Sequence, residues 1–351
     1  MKLSICCPSY NHEKYVGAFI RSLQAQTVSD WELVIVDDHS SDATIAKIGE
    51  FDDPRIRLIA HDWNRGINAG LADALSAATG EVCAFVASDD MLERDYVESV
   101  LKALAAQPER DFGFVQMSRI DGEGRKTGKI LGVVNPAETD HLFARMFLDG
   151  DGFVSPGMFG RTEFFRKVFP LHYGVCQRQD QLLENLLAFY SDPIFIDRQL
   201  VCYRQCGQGV STISPAVKAR LAAEIPLTMD ECAALFKTDA DLCRHFGHLG
   251  VLPAAEVAPE DIPFWLGRIA LLASEDERRH WGLGQIMNSF RDEKAQAALF
   301  ERYGFTFADY MALLKNVRLP PSKLERRFKR LKLINKILVA LLIAALLALF
   351  A

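Results

Sequence analysis

Glu81-Val82-Cys83-Ala84-Phe85-Val86-Ala87-Ser88-Asp89-Asp90-Met91-Leu92 is the stretch on which the fold turns. The apolar run 82–87 shows no polar alternation and is entered from Thr79-Gly80, which reads as a strand buried on both faces, as in a parallel sheet covered by helices on either side. In open α/β sheets the ligand crevice lies beyond the carboxyl ends of the strands, and Asp89 and Asp90 emerge there. Two carboxylates at such a point suit Mg²⁺ or Mn²⁺, hard cations that take oxygen ligands and often bind through one or two carboxylates plus substrate phosphates. The competing reading is a helix cap, with Ser88 or Asp89 closing the first turn of a helix over 92–106; it accounts for one acid, not both.

The same unit recurs upstream. Residues 3–7 form a short apolar strand that proline terminates at Pro8-Ser9-Tyr10-Asn11, and Val16, Phe19, Ile20 and Leu23 follow at helical spacing. Residues 31–36 are a second strand, ending at Asp37-Asp38, with Ser40, Ser41 or Asp42 placed to cap a helix through Ile48. A third strand at 55–61 leads into the loop Asp62-Trp63-Asn64-Arg65-Gly66 and a helix over 68–78. Strand and helix alternating with short connections predict a doubly wound, mostly parallel α/β sheet. Three strand ends then release Tyr10 and Asn11, Asp37 and Asp38, and Asp89 and Asp90 toward one edge, where a nucleotide could lie. A carboxylate there can accept from a base N–H or a ribose hydroxyl, Tyr10 can pack beside the base, and a metal on Asp90 can hold the diphosphate. For Asp37-Asp38 the alternative is turn and cap chemistry before the helix at Ala43. The first turn lacks G-x-G-x-x-G, and neither a Walker lysine loop nor a glycine-rich nucleotidyltransferase loop is present, which argues against NAD and against nucleotidyl transfer.

The chain's 351 residues, 49% of them hydrophobic, suffice for one large core and a smaller appended unit. A formal net charge of −6 gives no support to a nucleic-acid partner. Eight scattered cysteines without a C-x-x-C pair read as reduced thiols of a cytoplasmic protein. The N-terminus enters a strand directly, so no signal peptide is expected.

Pro8-Ser9-Tyr10-Asn11, Gln26-Thr27, Val36-Asp37-Asp38-His39-Ser40-Ser41-Asp42, Asn64-Arg65-Gly66, Thr79-Gly80-Glu81 and Ser88-Asp89-Asp90 together resemble family 2 glycosyltransferases with the type A fold, in order and in spacing. The resemblance covers the first 100 residues, with weaker similarity to about residue 210. It implies transfer of a sugar from a nucleotide donor, usually a UDP-sugar, with a divalent metal and inversion at the anomeric carbon. Asp38 would hold the uracil, Pro8 and Tyr10 would line the base pocket, Asn11, Asn64 and Asp89 would complete the donor contacts, and Asp90 would bind the metal. Ser155-Pro156-Gly157-Met158-Phe159-Gly160-Arg161 resembles the acceptor-side strand, and Asp180 aligns with the acid that serves as general base for the acceptor hydroxyl. A helix cap is the other reading of Asp180. Two positions depart from the pattern: Gln179 stands where the family usually has Glu, and Cys206, in Tyr203-Arg204-Gln205-Cys206, where it usually has His. A soft thiolate suits Mg²⁺ poorly, so Cys206 is not expected to be a ligand, whereas Arg204 is expected to pair with phosphate. The segment holding Ser211 and Thr212 suggests a lid.

Beyond Pro215 the pattern becomes helical: 216–223, 229–236, 239–246, 261–274, 275–290, 293–303 and 307–314. Cys243, His245 and His248 invite a zinc reading, but no partner pair of ligands is evident. The tail joins a basic stretch, 323–332, to fifteen uninterrupted apolar residues, 337–351, fewer than the roughly 20 that span a bilayer as a helix. A basic amphipathic helix followed by an apolar end suits an anionic cytoplasmic membrane surface. Packing on another subunit, giving a homo-oligomer, is the alternative. The expected organisation is a catalytic domain 1–214 (a nucleotide-sugar half 1–104 and an acceptor half 105–214), a helical region 215–320 and a membrane-associating tail 321–351. The expected function is transfer of a sugar to a saccharide or lipid-linked acceptor at the inner membrane face. A non-catalytic nucleotide-sugar-binding or scaffold protein is the alternative that Gln179 and Cys206 would favour.

Overall fold

The computed structural model describes residues 1–132, 140–150, 155–205 and 214–315. Cys206, Ser211, Thr212 and the tail lie outside the described residues. The chain divides into two compact units, residues 1–304 and 305–351.

The first unit opens with the anticipated alternation: β1 (Leu3–Ser9), α1 (Val16–Gln24), β2 (Trp31–Asp37), α2 (Thr44–Ile48), β3 (Ile56–Ala60), α3 (Ile67–Ala77) and β4 (Val82–Phe85). These four strands run parallel in the order β3-β2-β1-β4. Register aligns Ser9 with Asp37 and Cys6 with Phe85, so the segments leaving β1, β2 and β4 emerge at one edge. Pro8 does not end its strand: it lies within β1 opposite Val36.

β4 is buried on both faces. Val82 and Ala84 join the core formed with Val16, Phe19, Ile20 and Leu23 of α1. Cys83 and Phe85 join Leu71, Ala74 and Leu75 of α3 on the other face. The period of two in the strand divides its side chains between these cores, which is why an unalternating apolar run was needed.

After β4 the sheet departs from the mostly parallel expectation and becomes mixed. The elements are β5 (Met91–Leu92), α4 (Tyr96–Ala106), β6 (Phe112–Ile120), β7 (Lys126–Leu131), α5 (Leu142–Asp149), β8 (Met158–Arg161), α6 (Thr162–Arg166), α7 (Gln179–Tyr190) and β9 (Ile194–Arg204). The order continues β4-β8-β6-β9-β5, with β7 on β6. β8 runs antiparallel to β4 and β6, β5 antiparallel to β9, and β6 parallel to β9. Because Met91-Leu92 pair with β9, the helix expected from 92 begins only at Tyr96; neither Ser88 nor Asp89 caps it.

Helices α8 (Pro215–Ala233), α9 (Asp239–Phe246), α10 (Ile262–Ala270), α11 (Asp276–Ser289) and α12 (Glu293–Tyr303) complete the first unit. The two helices expected at 216–223 and 229–236 are one, α8, which continues through Pro226. In the second unit, α13 (Phe307–Leu314) starts with a reciprocal cap between Thr306 and Asp309. Among the described residues no helix is long and apolar enough to cross a membrane.

Gly157 joins the two halves of the sheet. Its N–H donates to the Phe85 carbonyl at 2.8 Å, and its carbonyl accepts from the buried Tyr96 hydroxyl at 3.0 Å. Its φ is +81°, and a Cβ there would stand 2.4 Å from Val201 Cγ2. Left-handed strain of about 1–2 kcal/mol adds to an overpacking cost of about 1–3 kcal/mol. Gly157→Ala is therefore expected to lower the urea midpoint of unfolding by an amount equivalent to roughly 2–5 kcal/mol; an unchanged midpoint would refute the assigned role.

Candidate functional site

The edge where β1, β2 and β4 end is closed by side chains that take up backbone N–H groups. Asp37 is fully buried and serves the turn: its carboxylate accepts the Ser40 N–H at 2.8 Å and the Ser40 hydroxyl at 2.5 Å. Turn chemistry thus describes Asp37 but not its neighbour. Asp38 Oδ1 accepts from the Arg65 N–H and lies 2.7 Å from His61 Nδ1, and Oδ2 accepts the Gly66 N–H at 2.8 Å. A carboxylate offers about four lone-pair positions. Three are taken by described residues, which leaves one acceptor position on Oδ2. Gly66 reaches Asp38 with φ +85° and ψ 163°, a region that is essentially glycine-only.

The turn after β1 is tied to the turn after β2. Asn11, at φ +55°, accepts the Ser41 N–H on its side-chain oxygen at 2.8 Å and donates its own N–H to Ser40 Oγ at 2.8 Å. Tyr10 stays 46% exposed beside it. Pro8 is half-buried, and Asn64 is exposed in the loop whose next two N–H groups hold Asp38.

Ser88 hydrogen-bonds Ser9 at 2.9 Å and lies 2.7 Å from His12 Nδ1, which brings the ends of β1 and β4 together. His12 Nε2 is 3.9 Å from Asp89 Oδ2. Asp90 is only 1% exposed; its Oδ1 accepts the Arg204 N–H at 2.8 Å, while Oδ2 has no hydrogen-bond partner among the described residues. Burial holds the Asp90 carboxyl well above the usual carboxylate range; the charge of Asp89 adds to this, and the N–H and charge of Arg204 oppose it. A buried acceptor without a partner beside a second carboxylate is a donor set that fits a hard divalent cation. Among the described residues there is no cluster of three or more His, Cys, Asp or Glu able to hold a metal, so the protein would contribute Asp90 and Asp89 and leave the other positions to diphosphate and water.

Arg204 takes a different part from the one expected. Its guanidinium donates to the carbonyls of Asp89 at 2.6 Å and of Asp121 and Gly122 at 2.9 Å, and it lies over the Tyr15 ring at 4.7 Å. These bonds fasten β9 beneath the acidic loop, and they engage the N–H groups that phosphate would have used.

Asp180 belongs to the first turn of α7, not to its cap, which is Arg178. The side chain has access to solvent, yet the protein packed around the helix start desolvates the carboxyl and pushes it up to about 6, against a lowering by the Gln179 amide that donates to it. Two links place α7 on the acidic edge. Glu184, one turn on, accepts from Ser155 Oγ at 2.5 Å, and Ser155 lies just outside the β8 residues paired with the end of β4. Asn68, in the first turn of α3, donates to the carbonyls of His172 at 2.9 Å and Val175 at 2.7 Å, holding the approach to α7 beside the Gly66 loop. A separate hollow of about 460 Å³, lined by residues including Gln26, Asp30 and Arg55, opens at the amino ends of β2 and β3, the opposite edge.

Residues 4–169 match the model described as Glycosyl transferase family 2. The chain carries a family 2 glycosyltransferase domain. Over 89 residues it is 43% identical to the UDP-Glc:alpha-D-GlcNAc-diphosphoundecaprenol beta-1,3-glucosyltransferase WfgD of Escherichia coli, covering 25% of this chain and 35% of that protein. Over 214 residues it is 38% identical to the putative glycosyltransferase EpsH of Bacillus subtilis (strain 168), covering 58% of this chain and 60% of that protein. The chain thus spans about a third to three fifths of these relatives' lengths. In fold it is similar to S. aureus TarS 1–349 in complex with UDP, with a TM-score of 0.53 and 18% identity over 88% of this chain and 93% of that one. The mixed α/β architecture of the family 2 domain accordingly resembles the type A glycosyltransferase fold.

His12 and His61 were not singled out from the sequence. Each meets its partner across a long separation, His12 with Ser88 at 76 residues and His61 with Asp38 at 23, and no local periodicity marks such a pair.

Because the shifted Asp90 carboxyl ionises only at a cost, its contribution to stability is fully present below the ordinary carboxylate pKa and is lost as pH rises through the raised value. Asp90→Asn is expected to raise the metal-free melting temperature at neutral pH by roughly 2–4 °C, equivalent to about 1 kcal/mol. It is also expected to abolish the further rise produced by Mn²⁺. Scanning calorimetry with and without Mn²⁺ checks both; a variant that Mn²⁺ still stabilises would remove Asp90 from the metal site.

Proposed function

We propose that this chain is an inverting glycosyltransferase that moves a sugar from a UDP-sugar to a saccharide or lipid-linked acceptor at the cytoplasmic membrane face, in the building of a cell-surface polysaccharide. The observation that carries the reading is the pairing of two incompletely satisfied carboxylates at one sheet edge: Asp38 with one acceptor position left on Oδ2, and Asp90 with Oδ2 unpartnered. The first suits a base N–H and the second a cation on a diphosphate. The family 2 domain supports sugar transfer as the reaction class. The printed activity of WfgD, a UDP-Glc donor and a diphosphoundecaprenol-linked acceptor, and the TarS complexes with UDP and UDP-GlcNAc motivate the donor and acceptor classes.

In this reading Asp38 accepts from the base, Pro8 and Tyr10 flank it, and Asn11, Asn64 and Asp89 line the donor's path. Asp90 with Asp89 would hold a divalent metal ion, Mg²⁺ or Mn²⁺, whose charge would offset that of the departing diphosphate. Asp180 takes the proton from the acceptor hydroxyl as it attacks from the face opposite the leaving nucleotide. A carboxyl pushed up to about 6 is ionised at neutral pH and remains a stronger base than an ordinary carboxylate. The tail, 321–351, supplies attachment to the inner face of the membrane.

A panel of nucleotide-sugars assayed by mass spectrometry, with membrane extract as acceptor, tests the reaction; no transfer from any donor would reject it. Asp180→Asn should lower kcat by roughly 10²- to 10⁴-fold while leaving UDP binding intact, and a variant with full turnover would reassign the base. Since the active form is the ionised one, kcat should rise with pH through about 6 and then level off. Removing residues 323–351 should shift the protein from the membrane pellet to the supernatant; unchanged fractionation would reject attachment through the tail.

A further inference from the structure

Asp180 sits in the first turn of α7, and what fixes that turn comes largely from outside residues 4–169. Glu224 of α8 is only 6% exposed, and its Oε2 accepts the backbone N–H groups of both Gln177 and Arg178 at 2.8 Å. A buried carboxylate is costly unless hydrogen-bonded, and the start of a helix, with free N–H groups and the positive end of the dipole, is a favourable place for one. Capping groups normally come from the helix's own sequence; this one arrives from 46 and 47 residues away.

The grip continues through Arg178. Its Nε donates to the Leu221 carbonyl of α8 at 2.8 Å, Nη1 to Gln181 Oε1 at 2.6 Å, and Nη2 to Glu275 Oε1 at 3.0 Å. Glu275, at the N-cap of α11, accepts on its other oxygen from Arg278 Nε at 2.8 Å. Arg278 is 1% exposed and also donates to the Phe147 carbonyl of α5 at 2.7 Å. The Gln181 amide donates to the Gly150 carbonyl that follows α5. Helices α5, α8 and α11 therefore meet on residues 177, 178 and 181, on both sides of Asp180 in sequence, while Asp180 takes its hydrogen bond from Gln179.

We infer that Glu224 is a positioning residue for sugar transfer: by holding the first turn of α7 it sets where the Asp180 carboxylate meets the acceptor hydroxyl, so that the helical region is part of the catalytic apparatus. This rests on the proposed role of Asp180 as base. The donor contacts lie on β1, β2, β4 and their loops, so loosening α7 should slow the chemical step without weakening donor binding.

The test uses Glu224→Ala and Glu224→Gln in the full chain, with steady-state kinetics, UDP titration by calorimetry and amide hydrogen exchange at residues 177–182. An ångström of misplacement can cost about 10²-fold in rate, so Glu224→Ala is expected to lower kcat by roughly 10- to 100-fold, with donor KM and UDP affinity within about twofold of wild type. Exchange at the Gln177 and Arg178 amides should accelerate. Glu224→Gln keeps an oxygen that can accept both N–H groups and should recover kcat to within about threefold. Should the alanine variant not fold, Glu224→Asp keeps the charge on a shorter stem and should give an intermediate loss of kcat with the same unchanged donor affinity. Full kcat in the alanine variant overturns the inference alone. So does a parallel fall of kcat and UDP affinity that Glu224→Gln does not relieve, because that describes a folding role. A wild-type chain that neither binds UDP nor turns over any donor overturns the functional reading, and the inference with it.

Discussion

Backbone N–H groups that leave a parallel sheet at its carboxyl edge lose their ladder partners, and in this protein carboxylates replace them. Asp37 accepts from Ser40, Asp38 from Arg65 and Gly66, Asp90 from Arg204, and Glu224 from Gln177 and Arg178. Buried donors and acceptors left unpaired cost about 1–3 kcal/mol each, so these pairings stabilise the loops that they close. The same arrangement concentrates negative charge in a small region. What distinguishes the acids is how completely each is satisfied.

Glu224 is buried and hydrogen-bonded to the backbone, so its role is structural first. Asp90 is equally enclosed but keeps an oxygen without a partner among the described residues, and burial beside Asp89 drives its carboxyl toward the protonated form. Such a group is a cost to the apo fold that binding a cation would remove. Asp38 lies between these cases, saturated on one oxygen and half-used on the other. A gradient from fully paired to under-paired acid thus runs from the loops that build the edge to the positions best placed to meet a ligand.

The half of the fold organised as strand, turn and helix was legible because its signal is local: the run at 82–87, the periodicity of α1 and the acids after β2 and β4 all fall within a dozen residues. Beyond β4 the signal failed. β6, β7 and β9 are set by pairing with distant strands, and β7 is almost wholly exposed, so no buried alternation announces it. Pro8 was read as a terminator because proline lacks a ladder donor, yet the parallel pairing continues through it to Ser9. The Asp180 cap reading failed for a similar reason: the cap of α7 is Glu224, which nothing near residue 180 foretells. Arg204 was recognisable as a cation near the acids, but its orientation depends on carbonyls 82 to 115 residues away.

The connection between Asn68 and the His172 and Val175 carbonyls differs in kind from the bonds around α7, since its receivers are main-chain atoms that any sequence supplies. This sets where parts of related chains could be exchanged. A crossover near residue 169 would divide the molecule across backbone pairings and one serine–glutamate contact, Ser155 with Glu184, asking little of the incoming sequence. A crossover between α7 and α8 would separate Arg178 and Gln181 from Glu224, Glu275 and Arg278, leaving buried charges to be matched by a foreign partner. Modularity in this molecule therefore has its natural seam ahead of the helix bearing Asp180, and the piece that follows must travel whole.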